Sequence, residues 1–316
     1  IGKNGTREEL TFENRSVGGA LVRAKHQSWC TARLCEDTKM VGKYFAYATN
    51  LGPQSWLWLK SNVSVKVESL MFALQEGVLK TNDFRKRILG ETITGMCRKC
   101  GTKAETVFHI LNGCELSKFH GIKIRHDSVC SVVFDACLKR YGFEPRNFRA
   151  KFSSATNSKY NSKPVYKNRR AELYWDCLLT TLEKIESRRP DIWLVIKDTQ
   201  PEQSHIIDGT VPFYTTRRQQ LTNLAFATEG KKHTYEPLRL DMSRTQATRD
   251  IFVHPVVIGA LGEFIDSDLR PSLNAILSVG PDDKVGKGMV NDTIKAMQRE
   301  AVIHSTSILR RHLRTR

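Results

Sequence analysis

The stretch CRKCGTKAETVFHILNGC puts Cys97, Cys100, His109 and Cys114 at C-x2-C-x8-H-x4-C spacing. It constrains the fold tightly, because four such ligands are useful only if they meet at a point. A Cys-x2-Cys pair brings two thiolates to one ion from a tight turn, which Gly101 helps to close. His-x4-Cys brings the other two ligands from a short helix or loop. Three sulfurs and one imidazole suit tetrahedral Zn²⁺. With all four positions filled no place is left for a catalytic water, so the ion is expected to hold a small segment together. The alternative is a set of unligated buried thiols. Cys30, Cys35, Cys130, Cys137 and Cys177 are unevenly spaced and read as packed free thiols, and His26 with Cys30 and Cys35 lacks a fourth ligand. This usage favours a reducing compartment and a metal site over a disulfide framework.

Charge narrows the range of partners. The 316 residues carry a formal net charge of +17, which points to nucleic acid or another anionic surface. Residues 97–190 hold 19 Lys/Arg against 9 Asp/Glu, whereas residues 191–250 hold 8 of each. The basic excess therefore surrounds the cysteines and stops where the next motif begins. A solvated basic surface without a partner is the bland alternative. No apolar run reaches the roughly 18 residues that span a bilayer, and no signal segment opens the chain, so no membrane partner is expected. The chain opens on Ile1, and the expectation is a piece of a longer polypeptide.

Periodicity predicts the elements. Residues 1–90 read as mainly helical: VESLMFALQEGVL places Leu70, Ala73 and Leu74 on one face, and Thr81 or Asn82 caps a helix containing DFRKRIL. Trp56 and Trp58 read as packing surface. Val129, Val132, Val133, Ala136 and Cys137 predict a helix that stops at Gly142. Residues 144–170, with eight Lys/Arg and one acid, read as a flexible basic loop that orders on nucleic acid. Its candidate contacts are Arg146, Arg149, Lys151, Lys163, Lys167, Arg169 and Arg170. AELYWDCLLTTLEKIESRR predicts an amphipathic helix ending before Pro190. DIWLVIKD and SHIIDGTVPF predict two strands, the first apolar on both faces as at the centre of a covered sheet. A helix over roughly 215–233 follows, with Leu221, Leu224 and Ala225 inward and Lys231 and Lys232 in its last turn. DIFVHPVVIGAL predicts a strand that Pro255 places at an edge or bulge. Asn291 or Asp292 is expected to cap a last helix. Alternating helices and strands from residue 121 onward predict an α/β sandwich.

The two strands carry Asp191 at the start of the first and Asp208 at the end of the second. If they pair antiparallel, the carboxylates meet. Phosphodiester cleavage needs a nucleophilic water and stabilisation of phosphate charge, which Mg²⁺ held by two carboxylates supplies. A nearby lysine would stabilise the charge developing on phosphorus. The position two residues after Asp208 is Thr210, not lysine, and Lys197 lies on the first strand. Lys231 and Lys232 reach the site only if their helix packs across the sheet; Tyr235 is close by in sequence. A solvated helix-end lysine is the alternative for Lys231. His120 and His126 read as surface or hydrogen-bonded residues.

In order, the Cys-Cys-His-Cys knuckle, Arg125-His126-Asp127, Pro190-Asp191, Asp208, the lysine-bearing helix and Tyr235 resemble the C-terminal part of site-specific non-LTR retrotransposon proteins with a restriction-like endonuclease. The best-known branch inserts into ribosomal RNA genes. The resemblance covers residues 91–316, with 1–90 matching the helical linker that follows the reverse transcriptase. It implies a linker over 1–90, a zinc knuckle over 91–120 and an endonuclease over 121–316. The fold it implies is α/β and restriction-endonuclease-like, a mixed sheet flanked by helices. Such proteins nick double-stranded target DNA and use the freed 3′ hydroxyl to prime reverse transcription of their own RNA, in the nucleus. The reverse transcriptase domain would lie upstream in the same polypeptide.

Carried over by motif, Asp191 and Asp208 become the Mg²⁺-binding acids and Lys231 the catalytic lysine, displaced onto a helix as it commonly is in this family. Arg125 and Asp127 match a motif at the start of the endonuclease, with support of the active site or DNA contact implied. The knuckle resembles one that contacts nucleic acid. This chain departs from the pattern in three ways. The 16-residue gap between the two acids is longer than usual, so KDTQPEQSH reads as an extended turn. The adjacent Lys232 leaves the catalytic lysine ambiguous. The basic 144–170 segment is also long. The second function class is a nucleic-acid-binding zinc module whose nuclease fold is inactive.

Overall fold

The apolar run IWLVI forms the middle strand of a five-stranded sheet. The strands are β1 (Val165–Lys167), β2 (Ala171–Trp175), β3 (Ile192–Ile196), β4 (Glu202–Thr210) and β5 (Arg249–Val257), in spatial order β1-β2-β3-β4-β5. Leu194, Val195 and Ile196 are fully buried, as befits a strand covered on both faces. β1 to β4 pair antiparallel in sequence; β5 joins β4 in parallel, so the sheet is mixed. Pro255 lies on this edge strand, where its missing N–H breaks no inner ladder.

The computed structural model describes residues 53–75, 77–143, 165–214 and 223–314, together with Lys25, His26 and Ser28. The chain divides into two compact units, Ile1–Asn50 and Leu51–Arg316, and the sheet belongs to the second. The basic segment over 144–164, with Arg146, Arg149, Lys151 and Lys163, lies outside the described residues, as do Cys30, Cys35 and Leu221.

A 3₁₀ helix over Pro53–Lys60 precedes α1 (Val65–Gln75) and α2 (Asn82–Arg87), followed by α3 (Lys123–Arg140) and α4 (Asn223–Thr245), then α5 (Asp266–Ile276) and α6 (Lys284–Leu313). Among the described helices, none is long and apolar enough to cross a membrane. Trp58 is fully buried. On α1 the inward face is Val67, Met71 and Leu74; Leu70 and Ala73 are only half-buried. Thr81 caps α2 by accepting from the Phe84 N–H at 3.2 Å. α3 stops at Gly142, whose φ of 73° lies in the left-handed region that glycine adopts without strain.

Helices cover both faces of the sheet. Tyr235, Leu238 and Met242 of α4 pack on Ile206 and Ile251, with Trp193 and Val253 at the margin. Toward α3, the Phe134 ring meets Trp175 and Tyr166 edge-on at 5.4 and 5.9 Å. α6 packs along α3 and against the 3₁₀ helix.

Four expectations are corrected. AELYWDCLLTTLEKIESRR is not a helix: Ala171–Trp175 is β2, and an irregular segment follows. Alternation decides it, because Ala171 and Leu173 are buried while Leu178 and Leu182, which a helix would have turned inward, are 63% and 74% exposed. The end of the expected basic loop is likewise ordered as β1, with Lys167 on Glu172 and Arg170 on Asp198 at 3.2 and 2.9 Å. Of the helix expected over 215–233, residues 215–222 lie outside the described residues, and the described helix, Asn223–Thr245, runs on past 233 through Pro237 on its solvent side, so Lys231 and Lys232 are not in its last turn. The last helix starts earlier than Asn291, where Asp283 accepts from the Gly286 N–H at 2.7 Å.

Candidate metal centre and carboxylate site

Cys97 and Cys100 lie on a turn closed by the Gly101 N–H, which donates to the Cys97 carbonyl at 2.8 Å with Gly101 at φ 66°. His109 begins a π-helical turn, His109–Gly113, and Cys114 follows directly. The Cys97 and Cys114 sulfurs stand 4.0 Å apart, and the Cys100 sulfur is 3.3 Å from His109 Nε2. The four donor atoms lie within 4.8 Å of one another, so the cluster could hold a metal such as zinc. Burial pushes the Cys97 thiol up to about 11, while the Thr102 hydroxyl, donating at 3.2 Å, helps to bring Cys100 down to about 6.

This cluster is tied into the rest of its unit. Glu105, fully buried, takes Arg98 in a salt bridge at 2.7 Å, the Asn82 N–H at 2.9 Å and His312 of α6 at 3.2 Å. Burial opposes its charge, but His312, Arg98 and backbone N–H groups outweigh it and hold Glu105 well below the usual carboxylate range. His312 Nε2 also lies 3.7 Å from the Cys97 sulfur. Arg125, fully buried, donates to the Leu111 and Val211 carbonyls at 3.1 Å, to Asn112 Oδ1 at 3.4 Å and to Ser305 Oγ at 3.0 Å. It thus cross-links the His109–Gly113 turn, the end of β4 and α6. Burial lowers its pKa to about 10, opposed by Glu263.

The carboxylate site forms where β3 begins and β4 ends. Ile192 pairs with Ile207 across the antiparallel ladder, which sets Asp191 beside Asp208. Asp208 is buried; Tyr235 donates to its Oδ1 at 2.7 Å and Lys231 forms an ion pair with its Oδ2. Lys231 and Tyr235 are four residues apart on α4 and so share a face, whereas Lys232 turns outward onto Glu229 at 2.8 Å. Thr210 ends β4, and Lys197 is held by Glu172 at 2.6 Å at the far end of β3. The Asp191 and Lys231 side chains keep 23% and 32% of their exposure, so the site opens to solvent.

Asp191 has partners of its own. Its Oδ2 accepts from the Gly209 N–H at 2.8 Å, stands 3.2 Å from His126 Nε2 and accepts from the Cys130 thiol at 3.6 Å. His126 also meets Asp127 through Nδ1 at 3.0 Å, and Asp127 pairs with Lys123 at 3.3 Å. His126 and Cys130 are the residues that sequence reading did not bring to this site. Their local signals are the i, i+4 spacing on α3 and, for His126, its place between Arg125 and Asp127, and neither says what the helix faces.

These contacts push the two carboxyls apart. Burial raises both, but His126, the Gly209 N–H and Lys231 reverse this at Asp191 and lower its pKa. At Asp208, burial and the Asp191 charge prevail over Lys231 and Tyr235, and the pKa is raised. Burial opposes a charge on His126 too, yet Cys130, Asp127 and Asp191 raise its pKa. Burial and the Asp208 charge raise the Tyr235 hydroxyl.

The fold and site together define a mixed α/β protein with a Cys-Cys-His-Cys cluster and a paired-aspartate site at adjacent strand ends. Comparison with known protein families and with curated proteins found no match.

Proposed function

We propose that this chain is a metal-dependent DNA endonuclease with a restriction-like sheet and a zinc knuckle, as its resemblance to non-LTR retrotransposon proteins implies. The observation that carries the reading is the grip of Lys231 and Tyr235 on Asp208, beside Asp191 at the open end of two antiparallel strands. Two carboxylates and a lysine at a strand end are what metal-assisted phosphodiester hydrolysis asks for.

Asp191 and Asp208 would hold Mg²⁺, and their all-oxygen donors suit it. Bound there, the ion would supply an activated water and neutralise phosphate charge. Lys231 neutralises charge developing on the phosphate, and Tyr235 orients Asp208. Zn²⁺ in the knuckle is structural, with donor spacings close to those of a tetrahedral site. On this reading the partners are double-stranded ribosomal DNA, the element's own RNA and an upstream reverse transcriptase domain, with the work done in the nucleus. The nick primes reverse transcription. Arg125, fully buried, supports the site's scaffold rather than touching DNA.

The test is nicking of supercoiled plasmid or target duplex in Mg²⁺ by the full-length protein and by Asp208→Ala. Loss of nicking in the variant is expected; undiminished nicking would sink the assignment. One observation favours the second class: basic groups, His126 and Lys231, already engage both aspartates. A binding module with an inactive nuclease fold would bind DNA in a salt-sensitive way and place no Mn²⁺ between Asp191 and Asp208 in soaked crystals.

A further inference from the structure

His126, Cys130 and Asp191 bring three unlike donors to one point. His126 Nε2 lies 3.2 Å from Asp191 Oδ2; the Cys130 sulfur lies 3.6 Å from that oxygen and 3.8 Å from that nitrogen. An ordinary histidine–aspartate hydrogen bond needs only the first of these distances. Metal–ligand lengths of about 2.0–2.3 Å give tetrahedral edges of roughly 3.3–3.6 Å between nitrogen, oxygen and sulfur donors. The three atoms therefore already outline one face of a tetrahedron.

Two further features shape the place. Gly209 passes directly beside it: a Cβ there would run into the Cys130 sulfur and come within 3.5 and 3.7 Å of Asp191 Oδ2 and His126 Nε2. The Gly209 carbonyl also lies 3.2 Å from the same imidazole nitrogen, adding a second oxygen beside the three donors. Asp127, at 3.0 Å from His126 Nδ1, fixes the ring from behind, as the outer partner of a metal-bound histidine does.

We propose that His126, Cys130 and Asp191 form a second transition-metal site, one that takes a borderline divalent ion such as Zn²⁺ or Co²⁺. Nitrogen and sulfur donors select such ions over Mg²⁺. Binding releases the Cys130 thiol proton and any proton on His126 Nε2 to solvent, leaving thiolate and neutral imidazole as ligands. The site shares Asp191 with the proposed nuclease centre but needs neither Asp208 nor Lys231.

The test is metal content of the full chain after stripping and reconstitution with Co²⁺, with nicking in Mg²⁺ measured on the same wild-type preparation. Wild type is expected to hold one ion per chain more than His126→Gln and Cys130→Ala, with affinity at this site falling at least about tenfold in each variant. His126→Gln keeps the ring position polar, so it carries the test if Cys130→Ala fails to fold. Equal metal content in wild type and variants overturns the site. A wild type that nicks without the extra ion leaves the nuclease reading standing; one that holds the extra ion without nicking sinks that reading alone.

Discussion

Lys231 and Asp208 form an ion pair that joins the middle of α4 to the end of β4, and it singles out one of two adjacent lysines. One residue along the helix is about 100° around it, so Lys232 cannot share the contact. Lys231→Ala is expected to lower nicking about 100-fold or more, and Lys232→Ala less than about threefold. Equal effects of the two, measured on one plasmid substrate, would reject Lys231 as the catalytic lysine.

Arg125 is the buried cross-link between the knuckle turn, the end of β4 and α6. Arg125→Met keeps the stem but removes the Arg125 donor from the Leu111 carbonyl and one of two donors from the Val211 carbonyl, which the Asn112 amide also reaches at 3.0 Å. A loss of about 3 kcal/mol is expected in urea unfolding. A change under about 1 kcal/mol would show that these carbonyls find other partners.

Zinc in the knuckle should be part of the fold. Through Glu105, His312 and Arg98 the cluster is bound to α2 and α6, so loosening it loosens both. A strong chelator is expected to lower the melting temperature by several degrees, with Zn²⁺ restoring it. An unchanged melt after complete zinc removal would mean that the thiols pack without an ion.

His205 and His254 make a buried pair on β4 and β5, Nδ1 to Nε2 at 2.9 Å, in which one ring must donate and the other accept. Burial, with charge on His254 disfavouring charge on its neighbour, lowers His205 to about 3; burial alone lowers His254 to about 4. Unfolding returns both to about 6.5. Between these values the unfolded chain binds more protons, so stability present above about pH 6.5 is lost as pH falls toward 4. Between pH 7 and pH 4, wild type is expected to lose roughly 6 kcal/mol more than a His205→Gln, His254→Gln double variant, about half from each ring. Parallel losses in denaturant melts would put the acid sensitivity elsewhere.

Short-range spacing alone carried the Cys-Cys-His-Cys cluster, the helix start at Thr81, the helix stop at Gly142, the apolar central strand and the proline-bearing edge strand. Each depends on a few neighbouring residues, and Cys97 to Cys114 close their cluster within one short segment. The aspartate pair was legible for a related reason: consecutive strands pair readily, so their ends can be placed beside each other. What lies across the core was not legible. Periodicity says which face of a helix is buried but not what it meets, so His126 and Cys130 looked like any hydrogen-bonded histidine and packed thiol. Residues 171–175 pair with β3 because the sheet offers Ala171 and Leu173 a buried face, and that long-range gain overrides a helical local pattern. Which of Lys231 and Lys232 meets Asp208, and the burial of Arg125, are likewise set by packing between elements tens of residues apart, where only the tertiary structure decides which side chains meet.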